Sequence, residues 1–283
     1  MSELLWDQTF PVLRLEGSGS RTFLQGQTSA DVQHAEVGDP LPACWLDATG
    51  RVQALLEIRM DTTGADVLVL AGEVDAVCQG FDRVIFPADR VRLKGTRQQR
   101  RQELLIQGQP MEPVNVYWAG DDPSASDRFP AHKAASANQL DHWRLEQGWP
   151  LSGGELDGTT NPFELGLSPW VHLNKGCYLG QETVAKLASK GGVKQQLRSW
   201  RALSSELQGT APQRGTVLRR QAERAGVITS AMEMASDEGS QEWIGLALVR
   251  RQALADPQLT LDSNQGSIQL FRPQAFSDPP TRV

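Results

Sequence analysis

Cysteine and histidine, which build disulfide frameworks and zinc sites, are scarce in this sequence. Three of its 283 residues are cysteines and four are histidines. The cysteine count is odd and no Cys-x-x-Cys occurs, so we expect free thiols and a reducing, cytoplasmic location. The histidines are scattered without the spacing of zinc ligands, and we therefore expect no stably bound metal.

Long hydrophobic runs are absent as well. No stretch approaches the roughly 20 apolar residues of a membrane-spanning helix, and the first residues do not resemble a signal peptide, so we expect no membrane association. The formal net charge of −6 argues against attraction of the whole molecule to nucleic acid or to an anionic membrane. Hydrophobic residues still make up 39% of the chain, which is enough to fill the cores of two or three domains.

Turn signals and hydrophobic periodicity predict an α+β N-terminal part and a strand-rich C-terminal part. The predicted strands of the first part are residues 11–16, 52–60, 67–70, 91–94 and 103–107, with a strand–turn–strand over 44–52. Its predicted helices are 21–25, capped by residues 18–20 and closed by Gly26, and 72–85; a surface loop follows at 119–137. A helix is predicted from about residue 138, and a short one starts at 160–164. Strands at 196–203, 215–219, 226–230, 243–249 and 267–271 suggest a small antiparallel barrel or sandwich, followed by a frayed tail from residue 272.

Residues 175–182 read KGCYLGQE, in which two glycines bracket a cysteine and an aromatic residue just before a predicted helix. That helix is expected to end at the glycines of positions 191 and 192, with Glu182 in its first turn, where a carboxylate complements the positive helix end. Cys177 precedes the helix and Lys175 is two residues away, a setting that favours the thiolate. An isolated cysteine is more often a small buried hydrophobe.

The whole string, KGCYxGQE, resembles the signature of the YgfZ-type folate-binding proteins, relatives of the glycine-cleavage T-protein. The matching residues are Lys175, Gly176, Cys177, Tyr178, Gly180, Gln181 and Glu182. Two earlier pieces, FLQGQTSADV at residues 23–32 and LDATGRV at residues 46–52, are similar to the N-terminal pattern of the same family. The resemblance implies that Cys177 is the functional thiol.

A second segment, WRLEQGWP at residues 143–150, resembles the Arg-x-Glu-x-Gly-x-Pro element of T-protein relatives. The resemblance implies that Glu146 recognises the pterin head of folate. A carboxylate has two adjacent acceptor oxygens, which match a ring N–H and an exocyclic amine. An exposed glutamate at a helix end is the alternative interpretation, and it stays open.

Three other positions follow from the same alignment. Arg144 belongs to the Glu146 element, and Phe10 stands near a place where family members use tryptophan to line the folate channel. The chain has Lys186 where the family usually has arginine. Lysine keeps the charge but lacks the planar guanidinium fork, so bidentate contacts with phosphate or carboxylate are in doubt there.

The resemblance implies an α+β protein of three domains around a central channel, as in the T-protein. These are a split ferredoxin-like α+β folate-binding unit (residues 1–50 plus 138–192), an inserted α+β domain (51–137) and a C-terminal antiparallel β-barrel (193–272), with a tail at 273–283.

The resemblance also implies binding of tetrahydrofolate or a derivative. Family members support iron–sulfur cluster assembly or repair and, through cluster enzymes, tRNA modification, so iron–sulfur enzymes or assembly proteins are the expected partners. Since a cluster normally needs about four ligands, one motif cysteine would act only transiently, as a ligand or redox thiol.

Glycine cleavage itself is not expected. The T-protein has an Asp pair that serves the folate nitrogen. The matching residues 52–56 of this chain read VQALL, and no acid follows until Glu57. The T-protein also lacks the cysteine. A one-carbon transferase with another substrate and a tRNA-binding regulator remain the alternatives.

Two basic runs stand out against the negative net charge. Residues 83–101 hold seven basic residues and one acid, and residues 186–224 hold nine basic residues and two acids. The first is most simply a solvated face. The second is either solvated surface or a site that receives a folate glutamate tail or RNA phosphates.

Overall fold

The computed structural model describes residues 3–106, 116–120, 128–190, 192–207, 211–235, 240–262 and 266–280. The chain divides into two compact units. Unit 1 comprises Met1–Leu140, Leu156–Pro162 and Pro169–Lys186, and unit 2 comprises Asp141–Glu155, Phe163–Ser168 and Leu187–Val283. None of the described helices is long and apolar enough to cross a membrane.

Unit 1 is built on an antiparallel sheet. Its described strands are β1 (Glu3–Glu16), β2 (Pro40–Leu46), β3 (Val52–Met60), β4 (Gly64–Ala71), β5 (Arg92–Ile106) and β6 (Val116–Trp118). They are hydrogen-bonded in the order β2-β3-β4-β1-β5-β6. The edge strand β2 carries Pro40 and Pro42, and the opposite edge, β6, has three residues.

One face of this sheet forms the core of unit 1. Alternate residues of β1, β3 and β4 are buried there, as the two-residue period of a strand requires. Helices α1 (Ser20–Gln27) and α2 (Val74–Asp82) contribute Phe23 and Phe81 to the same core. The two rings meet edge to face with centroids 5.5 Å apart, so both helices cover this face.

The opposite face of the sheet buries a charged network. Arg101 lies 2.9 Å from Glu57 and 2.7 Å from Glu103, and all three side chains are at most 3% exposed. The indole N–H of Trp118 donates a hydrogen bond to Glu57. Burial raises the pKa of the Glu103 carboxyl, although the nearby guanidinium opposes this.

The structure corrects the predicted strands at 91–94 and 103–107, which are parts of the single strand β5. The residues between them also belong to the strand, since β5 pairs with β1 from Glu3↔Ile106 to Glu16↔Arg92. Residue 107 lies outside the described residues. The N-cap of α1 is Gly19, within the predicted cap at residues 18–20, although no side chain bonds to the helix end there. The predicted stop at Gly26 is wrong, because Gly26 lies inside the helix.

Unit 2 contains a closed antiparallel β-barrel, which confirms the predicted C-terminal barrel. Its strands are β7 (Gln195–Leu203), β8 (Val217–Arg220), β9 (Glu223–Ala235), β10 (Gln241–Arg250), β11 (Gln258–Leu261) and β12 (Ser267–Phe271), joined in the order β10-β7-β12-β11-β8-β9. Trp200 fills the barrel core and donates from Nε1 to the Leu246 carbonyl at 3.1 Å. A Cβ at Gly245 would lie 2.6 Å from this indole, so the barrel needs glycine there.

Helix α3 (Ala137–Gln147) ends before Gly148, whose φ of +76° suits glycine, as the sequence predicts. The segment from residue 272 to 280 is not frayed. Its backbone N–H groups at Gln274 and Ala275 donate to the carbonyls of Glu146 and Gln147, and Phe276 is buried. The composition of this segment is polar, but one aromatic ring and a row of backbone bonds fix it.

Two other predicted helices have different outcomes. Helix α4 (Gln181–Lys190) follows the KGCYLGQE loop, with Glu182 in its first turn, as predicted. The expected stop at Gly191 lies outside the described residues, as does part of the predicted loop at 119–137. The short helix predicted from 160–164 is wrong, because residues 162–166 form turns.

Candidate functional site

The loop before α4 exposes Cys177 and buries Lys175 and Tyr178. Cys177 is exposed and is a free thiol, and Gly176 beside it is exposed too. Lys175 and Tyr178 on either side are buried. The thiol therefore stands between two anchored residues rather than at the tip of a freely moving loop.

Lys175 anchors this loop to the segment after α1. Its ammonium donates to the carbonyl oxygens of Thr28, at 2.7 Å, and Ala30, and it lies 4.9 Å from the centroid of the Tyr178 ring. Burial lowers the pKa of Lys175 to about 8. These contacts explain why FLQGQTSADV and KGCYLGQE occur together, since carbonyls of the first hold the lysine of the second.

Tyr178 fixes the other side of the thiol. Burial raises its pKa to about 12, and its hydroxyl has no hydrogen-bond partner among the described residues. Cys44 is fully buried nearby, and burial raises its pKa to about 12 as well. Tyr178 and Cys44 are therefore both protonated near neutral pH.

The second glycine of the loop packs against the LDATGRV turn. Gly180 has a φ of +81°, and a Cβ there would lie 2.6 Å from the Asp47 carbonyl oxygen. The Asp47 carboxylate accepts the backbone N–H groups of Thr49 and Arg51 at 2.8 and 2.9 Å, which closes the turn. The two motifs therefore form one contact in unit 1.

The last residues of the motif begin α4. The Gln181 N–H donates to the Tyr178 carbonyl at 3.1 Å. Glu182 is exposed and pairs with Lys186 one turn later, which lowers the pKa of Glu182. Lys186 is therefore engaged with a carboxylate of its own helix.

An acidic residue that the sequence did not single out lies at the base of this loop. Asp31 is 2.7 Å from His34 Nδ1 and 4.0 Å from His172 Nε2, and it accepts a hydrogen bond from Gln25 at 3.1 Å. The bond with His34 is the main cause of the lowered pKa of Asp31. The sequence signal that could have identified Asp31 is its position inside FLQGQTSADV.

In unit 2, Glu146 lies near the end of α3 and is 17% exposed. Its Oε1 is 3.5 Å from Arg201 Nη2 and 3.8 Å from His142 Nε2, which are long contacts. Among the described residues, no hydrogen bond or ion pair engages its second carboxylate oxygen. The carboxylate is therefore held in place and still has acceptor capacity.

Arg144 and Phe10 have structural contacts. Arg144 donates from Nε to Asp141 at 2.9 Å, and its Nη1 lies 3.5 Å from the buried carboxylate of Glu155. It therefore joins α3 to a following segment of unit 2. Phe10, in unit 1, is buried and meets Trp6 edge to face with centroids 5.7 Å apart.

The basic run at 186–224 is partly neutralised. Arg219, Arg220 and Arg201 each lie within 3.5 Å of a carboxylate in unit 2. No group of three or more His, Cys, Asp or Glu among the described residues is arranged to hold a metal ion.

Comparison with known proteins shows relatives of one kind. A chloroplastic protein of Arabidopsis thaliana named as a transferase is 34% identical over 111 residues, which is 39% of this chain and 23% of that protein. An aminomethyltransferase of Halothermothrix orenii is 30% identical over 118 residues, 41% of this chain and 30% of the relative. The matches thus span less than a third of these relatives' length. No family model matches the chain.

The fold agrees over almost the whole chain. The crystal structure of glycine cleavage system aminomethyltransferase T from Bartonella henselae superposes with a TM-score of 0.69 and 15% identity, covering 99% of this chain and 88% of that one. The chain therefore has the fold of this aminomethyltransferase. It is mostly β, with few helices among the described residues, and it has a closed six-stranded barrel.

Proposed function

We propose that this protein is a YgfZ-type member of the glycine-cleavage T-protein superfamily that binds tetrahydrofolate or a derivative and supports iron–sulfur cluster assembly or repair. Cys177 would be its functional thiol, and tRNA modification would depend on it through cluster enzymes. The three-domain arrangement around a central channel, with split ferredoxin-like units, belongs to the same proposal.

The exposed thiol of Cys177, held between buried Lys175 and Tyr178, carries this proposal. A cysteine that served packing would be buried, as Cys44 is. Because the loop is already ordered, binding of this thiol to the sulfur or metal of a partner does not carry the entropic cost of ordering the loop. One such thiol suits transfer or transient ligation better than storage of a cluster.

Glu146 supports the folate part. The open oxygen of its carboxylate, together with the long contacts of the other oxygen, leaves acceptors for the paired N–H groups of a pterin ring. This acceptor group of unit 2 therefore fits the pterin part of the ligand, and tetrahydrofolate would supply the one-carbon carrier chemistry.

Glu57 argues against a classical aminomethyltransferase. It is the first acid after the LDATGRV turn, where a group serving the folate nitrogen would be sought. In this structure it is buried and occupied by Arg101 and Trp118. A proton donor or acceptor must reach its substrate, and this carboxylate is directed into the interior network. A one-carbon transferase using other residues remains the second candidate, and a tRNA-binding regulator the third.

Calorimetric titration of tetrahydrofolate under reducing conditions tests the folate part. We expect binding by the wild type and by Cys177→Ser, and a loss of at least about tenfold in affinity for Glu146→Gln. Glu233→Gln, an exposed glutamate of the same unit, is the matched control. Absence of binding to the wild type would remove the folate claim, and an equal loss in the control would remove the role of Glu146.

Complementation of a strain that lacks this protein tests the thiol. Cys177→Ser should be folded, by circular dichroism, and should fail to restore iron–sulfur enzyme activity. Release of formaldehyde or a methylated product from a folate adduct would favour the transferase instead. Full complementation by Cys177→Ser would contradict the proposed role of the thiol.

A further inference from the structure

Unit 1 has a cleft whose lining residues the proposed function does not use. Its main cavity, of about 870 Å³, lies among residues 16–18, 85–87 and 90–92, with Thr63 and Lys94. A cavity of about 510 Å³ also has Ser18, Phe86 and Arg90 in its lining. We call the two together the Phe86 cleft. Sites for small ligands typically have volumes of ~300–1,000 Å³, so each cavity is large enough for one.

Positive charge dominates the main cavity. Its charged lining residues are Arg90, Arg92 and Lys94, with Glu16 as the one carboxylate. Lys94 lies 3.5 Å from Glu16. Arg90 and Arg92 are exposed and have no acidic partner among the described residues. In a chain of net charge −6, this local excess of free guanidinium groups favours a negatively charged ligand.

An aromatic ring stands beside these cations. Phe86 is 62% exposed and lines both cavities. Its backbone N–H donates to the Asp89 carboxylate at 2.7 Å. Asp89 is the one acidic residue that lines the smaller cavity, and this bond engages its carboxylate in the turn that carries Phe86. Single exposed apolar residues are common. An exposed ring next to free arginines is the combination that stacks unpaired bases and holds their phosphates.

The walls of the cleft are fixed. A Cβ at Gly17 would lie 2.0 Å from the Arg90 carbonyl oxygen, and one at Gly19 would lie 1.6 Å from that of Asp89. The Gly19 N–H donates to the Arg90 carbonyl at 3.2 Å. Arg90 itself has a φ of +52°, in the left-handed region that non-glycine residues avoid. An arginine kept at a position where glycine would be easier indicates that its side chain is useful there.

We propose that the Phe86 cleft binds a single-stranded nucleic acid, with a base stacked on Phe86 and backbone phosphates on Arg90, Arg92 and Lys94. A duplex hides the faces of its bases, so it cannot use the ring. The two cavities that share Phe86 leave room for more than one nucleotide, which favours a strand over a mononucleotide. The site does not depend on the folate or thiol proposals.

Fluorescence anisotropy with a labelled single-stranded RNA of about 12 nucleotides, at several salt concentrations, tests this with the full chain. Arg92→Gln should weaken binding and reduce the slope of log K against log salt by about 0.7, the loss of one phosphate contact. Phe86→Leu should weaken binding at least about fivefold with little change in slope, because it removes stacking and no charge.

Arg90→Gly separates binding from folding. The substitution removes the unfavourable backbone conformation, so the variant should melt at or above the wild-type temperature while its affinity and salt slope fall. Lys133→Gln, an exposed lysine of unit 1 outside the cleft, is the matched control for one lost charge.

Four results would overturn the proposal. These are no binding up to about 100 µM RNA at about 50 mM salt, equal affinity for the duplex or for a mononucleotide, no effect of Phe86→Leu, and a loss in the control equal to that in Arg92→Gln. Binding that is lost in Arg224→Gln and kept in the cleft variants would assign it to unit 2 and equally refute the cleft.

Discussion

Replacing Gly180 by alanine should destabilise unit 1 by about 2–5 kcal/mol, whereas Gly176→Ala in the same loop should be nearly neutral. An L-residue in the left-handed conformation of Gly180, with φ at +81°, costs about 1–2 kcal/mol. The added Cβ would also lie 2.6 Å from the Asp47 carbonyl and 3.0 Å from the Gly50 Cα. Relieving such overlap in a packed contact typically costs about 1–3 kcal/mol.

Gly176 provides the internal control. Its φ is not positive, and a Cβ there would meet nothing within 4 Å. Alanine should therefore leave stability unchanged or raise it by up to about 1 kcal/mol, because it restricts the unfolded chain. Urea denaturation followed by tryptophan fluorescence measures both variants, and the midpoint should fall for Gly180→Ala without a change in the slope m.

The outcome that refutes this reasoning is specific. If Gly180→Ala melts with the wild type, the contact between the KGCYLGQE loop and the LDATGRV turn does not hold the loop. If Gly176→Ala costs as much as Gly180→Ala, the two glycines do not differ as the geometry requires.

Three further predictions concern buried and exposed groups. Burial lowers the pKa of Lys175 from 10.5 to about 8, so the folded chain releases this proton at a lower pH than the unfolded chain does. The free energy of unfolding of the wild type, relative to that of Lys175→Met, should therefore rise by about 1–2 kcal/mol between pH 8 and 10.5. A difference that does not change with pH would contradict this. Arg101→Met should cost about 3–5 kcal/mol in urea denaturation, since it leaves Glu103 buried without its cation; a cost below about 1 kcal/mol would be inconsistent with a buried pair. Cys177 should react with iodoacetamide in the native state and Cys44 only after unfolding, as peptide mass mapping would show; rapid native labelling of Cys44 would disprove its burial.

Sequence reasoning was most successful where one local signal decides the structure. Five of the six barrel strands, α3 and α4 overlap with predicted elements, and Gly148 ends α3 as predicted, whereas the short strand β11 was not predicted. The LDATGRV turn was predicted as a turn because Asp47 and Gly50 have the right spacing, and the structure shows the carboxylate closing it.

The predictions that failed depended on long-range pairing. Strand β5 was predicted as two separate strands, but its backbone is paired along β1, and Arg101 is neutralised by carboxylates that a local pattern does not reveal. The segment after residue 272 looked frayed by composition, yet carbonyls of α3 accept its N–H groups.

The candidate site was predicted only in part, because the contacts that hold it are also long-range. The motif identified Cys177 and Lys175, but it suggested that the lysine favours the thiolate. The structure instead shows the ammonium bonded to the carbonyls of Thr28 and Ala30. Those partners are nearly 150 positions away in the chain, with separations of 147 and 145, so no local spacing could indicate them.

The edges of the two sheets affect how strongly the protein aggregates at high concentration. An open strand edge with free N–H groups invites pairing with another molecule. In unit 1 the β2 edge lacks donors at Pro40 and Pro42, and the described part of β6 has three residues. In unit 2 the described barrel strands close on themselves. The described strands therefore offer few free N–H groups to an added strand while the protein is folded.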